Sequence, residues 1–132
     1  IIAVAAGGFF GLRWYLSTRN ARNVGALQIF KAFQDVQLVV VHESNIDLND
    51  LGEFVKALAQ KDALFGNDRE MLGFIEEYYK RCAELNRKNE RIRITQSREE
   101  LEILMNQRIQ LVQWFHSQDK MIRHHFSRYI KV

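Results

Sequence analysis

The stretch MLGFIEEYYKRCAEL, residues 71–85, decides the fold. Its apolar positions Met71, Ile75, Tyr78, Cys82 and Leu85 are spaced by four and three, which puts them on one side of an α-helix and leaves Glu76, Glu77 and Lys80 on the other. The seam lasts about two heptads, fewer than a coiled-coil dimer sustains, so it is expected to pack against another helix of the same chain.

Towards the C-terminus, residues 86–97 are polar apart from Ile92 and Ile94 and read as a hinge. Ser97 followed by Glu100 then forms a capping box for a last helix. That helix carries Leu101, Leu104, Leu111, Phe115 and Ile122 at helical spacing and runs on to Tyr129 and Ile130. Towards the N-terminus, Asn67 with Glu70 three residues on reads as the cap of the seam helix, and residues 62–68, with Gly66 and Asn67, end the helix before it. That earlier helix opens at Asp47 with Ile46 and Leu51 set as a hydrophobic staple, and its stripe is Leu51, Phe54, Val55 and Leu58. Between Ser17 and Glu43 only Gly25 interrupts helix formers, while Ile29, Phe30, Phe33, Val36 and Val40 share a face. Leu38 to Val41 resembles a strand, but no second alternating run exists to pair with it.

Composition agrees with a helical reading. The chain has 132 residues, 47% hydrophobic and 27% charged, with no proline and 7 glycines, so it can bury one core and lacks the turn residues of sandwiches and barrels. Cys82 is the only cysteine, which excludes an intramolecular disulfide and a cysteine-based zinc site and suits a reducing compartment.

Residues 1–12, IIAVAAGGFFGL, carry no charge, and Trp14, Tyr15 and Leu16 extend the apolar run past Arg13. A bilayer span needs about 20 apolar residues, and the chain opens on isoleucine, so the expectation is a transmembrane helix lacking its beginning. Trp14 and Tyr15 suit an interfacial belt, and Arg13, Arg19 and Arg22 precede any acid, which places the body in the cytoplasm or in an organelle matrix or stroma. A cleaved secretory signal, a buried core helix and an interfacial helix are the rival readings. The expected fold is all-α: residues 1–16 as membrane anchor, continuous with a small antiparallel helical bundle over residues 17–132.

Charge is segregated. Residues 13–31 hold four bases and no acid, 35–79 ten acids and three bases, 80–98 seven bases and two acids, 99–119 four acids and one base, and 120–132 four bases and no acid. The bland reading is mutual pairing between neighbouring helices. The functional readings are contact of the first block with anionic lipid, nucleic-acid binding by Lys80, Arg81, Arg87, Lys88, Arg91 and Arg93, or docking on an acidic protein surface. Only Tyr78 and Tyr79 are at hand to stack bases, so nucleic acid is the lesser partner.

Reactive chemistry is sparse. His116 and His124 lie two helical turns apart and cannot chelate one metal locally; His42 with Glu43, or His125 with a carboxylate of a neighbouring helix, could assemble in three dimensions, but a lone helical histidine is more often a surface or core residue. Glu99, Glu100 and Glu102 suit a helix start, with no Glu-x-x-His motif beside them, and no phosphate loop or nucleophile motif occurs. No metal, cofactor or catalytic residue is expected. Trp114, Phe115, Phe126 and Tyr129 belong to an aromatic surplus that either covers the end of a small bundle or forms an interface, and the proposed partner contacts are these four with Arg87, Arg91 and Arg93 on the hinge.

In layout, the anchor and the basic stretch from Arg13-Trp14-Tyr15 to Arg22 resemble single-pass bacterial proteins with a helical cytoplasmic body, some tied to phage defence, and small accessory subunits of energy-converting membrane complexes. The likeness brings no motif and no site residue. The expected function is therefore a non-enzymatic, membrane-anchored interaction or accessory protein that contacts lipid and docks on a protein partner or complex subunit. The alternative is a membrane-tethered regulator that binds nucleic acid or anionic lipid.

Overall fold

The computed structural model describes residues 23–42, 45–46 and 48–131, and every regular element among them is helical. These are α1 (Asn23–His42), α2 (Leu48–Leu58), α3 (Lys61–Phe65), α4 (Arg69–Ile94), α5 (Arg98–His116) and α6 (Gln118–Phe126). The anchor residues 1–16, the interfacial residues Arg13, Trp14, Tyr15, Arg19 and Arg22, and the Asp47 cap lie outside the described residues.

Three contacts fix the direction of α1. Gly25 lies against Leu64 of α3, Phe33 against Phe74 and Tyr78, and Asn45, just past α1, accepts from Asn89 at 2.7 Å. So α1 and α4 run parallel. Tyr78 meets Phe115, and Arg91 meets Glu100, so α5 returns antiparallel to α4. Phe126 reaches back to Phe30 and Phe65, and α2 crosses by laying Phe54 on Phe33. The chain thus runs up, down, up and down, as in a small antiparallel bundle.

The expected stripes of α1 and α4 are the buried ones, whereas in the α2 stripe Phe54 and Leu58 are buried, Leu51 is half-buried and Val55 is exposed. Met71, Ile75, Tyr78, Cys82 and Leu85 are fully buried, as are Ile29, Phe33 and Val40 of α1. Phe33 is the hub: its ring centroid lies 4.5 Å from Tyr78, 5.0 Å from Phe54, 5.4 Å from Phe126 and 5.6 Å from Phe74. Such aromatic pairs add about 0.5–1.5 kcal/mol each beyond the area they bury. Gly25 permits the close approach of α1 to α3, because a Cβ there would come within 2.9 Å of the Leu64 side chain.

Five local expectations are corrected. The α4 cap is Asp68, whose carboxylate accepts from Met71 N at 3.0 Å, one residue after the expected Asn67. The polar stretch 86–97 is mostly helix, leaving only 95–97 as the hinge, because Asn89 continues the α4 seam and accepts from Arg108 of α5 at 3.4 Å. Residues 61–65 form a further helix between α2 and α4. The last helix is broken at Ser117, whose hydroxyl donates to the Trp114 carbonyl at 2.6 Å, a competition with the backbone ladder that favours helix ends. At Ser97 only half the capping box forms: Ser97 Oγ accepts from Glu100 N at 3.2 Å, while the Glu100 carboxylate turns to Arg91 and Thr95.

By length and composition α1 is apolar enough to cross a membrane. It spends its apolar face on the bundle core, burying Ala26, Ile29, Phe30, Phe33, Val36 and Val40, and turns Lys31 and Asp35 outward.

Candidate functional site

Three regions carry chemistry: a polar node inside the bundle, the free end of the α4–α5 hairpin, and the opposite end where α1 begins.

The node is built on Gln37. It sits on the apolar stripe of α1 and is buried, so its amide needs partners inside the protein. Tyr78 donates its phenol to Gln37 Oε1 at 2.8 Å, and Gln37 Nε2 donates to the Phe115 carbonyl and, at 3.5 Å, to Asp119 Oδ1. The Phe115 carbonyl belongs to the last turn of α5, where acceptors lack partners within the helix. Gln37 therefore caps α5 from another helix, at the point where the chain breaks into α6. Burial drives the Tyr78 phenol far above its ordinary value, which keeps it a neutral donor. An open groove of about 310 Å³ runs beside the node, with Phe30, Leu38, Val41 and Ile122 as apolar walls and Asp119 and Arg123 as polar ones.

At the hairpin end the helices outrun the core. Leu104 is buried there, but Ile94 (64% exposed), Ile103 (58%), Ile109 (52%) and Met105 (41%) face solvent. The basic block beside them is interleaved with acids: Arg91 pairs with Glu100 at 2.6 Å, Arg93 with Glu90 at 2.5 Å, and Lys88 donates to Gln107. The Arg91 and Thr95 hydrogen bonds hold the Glu100 carboxyl below its ordinary value. Arg87 is exposed and makes no ion pair among the described residues. This mixed surface lacks the continuous cationic track that phosphate backbones favour.

The predicted aromatic contacts divide. Phe115 and Phe126 are fully buried and offer no area to a partner in this fold. Trp114 is half-buried, with one side on Tyr78 and Phe115 and the Arg81 guanidinium 5.3 Å from its ring centroid, a cation–π contact on the flank of the hairpin. Arg81 is itself held by Glu77 at 2.9 Å and Glu84 at 3.7 Å. Tyr129 lies far from Trp114, at the other end of the bundle, donating to Asp68 Oδ2 at 2.6 Å. Arg87, Arg91 and Arg93 share the hairpin end with the exposed aliphatic residues, which composition alone had not singled out.

At the α1 end, Asp68 gathers Tyr129, the Met71 amide and Arg128, the last at 3.6 Å, and the Tyr129 hydrogen bond leads the causes that lower its pKa. His125 stacks on Phe74 with centroids 4.4 Å apart, and its Nδ1 is buried without a hydrogen-bond partner among the described residues. Burial holds its imidazole below the ordinary histidine value. Cys82 is buried in the seam, and burial pushes its thiol far up, which makes the thiolate inaccessible. Among the described residues no three histidine, cysteine, aspartate or glutamate side chains are placed to hold a metal ion.

Comparison with family models, with characterised proteins and with solved structures finds no match for the chain.

Proposed function

We propose that this chain is a membrane-anchored helical interaction protein without catalytic activity, tethered through residues 1–16, whose body stands in the cytoplasm or an organelle matrix and docks on a protein partner with the free end of the α4–α5 hairpin. The observation that carries this reading is that Ile94 at the end of α4 and Ile103, Met105 and Ile109 on α5 are exposed large apolar side chains. Exposed large apolar side chains favour association when a partner covers them. Arg87, Arg91 and Arg93 are exposed on the same hairpin, which fits the arginine enrichment of interfaces. The α4 helix of 26 residues spans about 39 Å, so the hairpin end stands well clear of a membrane at the α1 end.

The test is purification of the full chain from membranes in mild detergent, comparing the native protein with Ile94→Ser/Ile103→Ser. Partner recovery should fall at least tenfold with the melting temperature unchanged. Equal recovery would dismiss the hairpin as the docking element.

A further inference from the structure

The fold brings the start of α1 to the C-terminal residues Arg128, Ile130 and Lys131 at one end of the bundle. Residues 13–31 and 120–132 are separated by almost ninety positions, yet Val24 and Leu27 of α1 line one open depression with Arg128, Ile130 and Lys131. Its volume is about 560 Å³. Val24 is 57% exposed and Leu27 41%. The acids nearby are accounted for: Asp62 pairs with Lys61 at 3.0 Å, and Asp68 and Glu70 share Arg128 at 3.6 and 3.7 Å. Lys131 has no carboxylate partner among the described residues.

The geometry points to this end as a foot that rests on an anionic lipid surface, with Arg128 and Lys131 on headgroup phosphates and Val24, Leu27 and Ile130 at headgroup level. The inference rests on the anchor reading, and chain length makes the case. Only six residues, 17–22, separate the proposed anchor from Asn23. Six residues reach about 9 Å as helix and about 20 Å fully extended, so this end cannot stand away from the bilayer that holds the anchor. Arg19 and Arg22 lie within that connection. Cations gathered against an acidic leaflet are attracted within a Debye length, and apolar side chains among them seat at the boundary. The long-range Arg128 pairs, with Arg128 48% exposed, are weak enough in water to exchange for phosphate.

The test uses the full chain in vesicles of neutral lipid with or without phosphatidylglycerol, and a quencher attached to a fraction of the headgroups. Cys82 is buried, so one fluorophore can be placed on Asn67→Cys at the foot or on Gln96→Cys at the hairpin. The Asn67 label should be quenched severalfold more in anionic than in neutral vesicles, and the Gln96 label should be unaffected. The difference should disappear at about 0.5 M salt, and shrink with Lys131→Gln and with Arg128→Gln/Lys131→Gln. Retention of the chain at that salt but equal quenching at Asn67 and Gln96, or indifference to both substitutions, overturns the foot and leaves the anchor standing. Release of the chain from the vesicles by salt overturns the anchor, and the foot with it.

Discussion

Tyr78 and Gln37, 41 residues apart in the chain, share a 2.8 Å hydrogen bond inside the bundle, and through it α4 holds the amide that caps α5. Three helices therefore meet on one buried polar side chain.

Breaking one side of this node should cost more than removing it. Tyr78→Phe orphans Gln37 Oε1, and Gln37→Leu orphans the Phe115 carbonyl and the phenol, so each should lose about 1–3 kcal/mol in urea unfolding. The double variant should lose less than the sum of the two. Additive losses would mean that the pair is not coupled.

A second polar layer is expected to fix register. Arg108 donates to Asn89 at 3.4 Å between α4 and α5, and Asn89 donates on to Asn45, so a half-buried polar chain beside the apolar seam disfavours slipped pairings. Asn89→Leu/Arg108→Leu should keep or raise the midpoint of unfolding while broadening the amide spectrum of residues 86–108. A spectrum as sharp as the parent's would remove the register role.

Acid should weaken the fold in two separate windows. His125 is buried neutral with its pKa lowered by burial, so the unfolded chain binds its proton first: stability is full above the unfolded value near 6.5 and falls as pH drops below it. Glu70 and Asp68 favour the imidazolium, while His124 and Arg128 oppose it. Asp68, also lowered, contributes stability above its ordinary 3.8 that is lost as pH falls through its folded value. His125→Phe should flatten the first decline and leave the second. An unchanged slope between pH 7 and 5 would show that His125 charges freely in the fold.

Cys82 should be inert until the protein unfolds. With the thiol buried and its pKa raised by desolvation, reaction with an aromatic disulfide reagent should be at least a hundredfold slower than in denaturant and should track the unfolding rate. Rapid native labelling would mean that the seam opens locally.

How far the sequence reads correctly depends on what kind of force sets each feature. Hydrophobic spacing located the seam of α4 and the stripe of α1, because burial of Met71, Ile75, Phe33 or Val40 follows from local periodicity alone. Gln37 escaped, although it shares its face with Phe33, Val36 and Val40, and a lone polar residue on such a stripe is the signal of a buried node. The break at Ser117 had no proline or glycine to mark it, and the Phe115 carbonyl beside it takes its partner from Gln37, 78 positions earlier. Residues 86–97 read as a hinge because only Ile92 and Ile94 among them are apolar, yet Asn89 finds a partner in Arg108 on the neighbouring helix. Phe115 and Phe126 continue the Leu104, Leu111 and Ile122 spacing into the core, so counting aromatics misplaced them where wheel position would not have.

The central claim, a tethered bundle that docks through its hairpin end, is tested most directly by photo-crosslinking in intact membranes from a diazirine amino acid placed at Ile103, with the same probe at Asn67 for comparison. The account predicts a discrete protein adduct from position 103 and lipid adducts from position 67, in a fraction that resists carbonate extraction. No protein adduct at 103, or a chain washed free by carbonate, would contradict it.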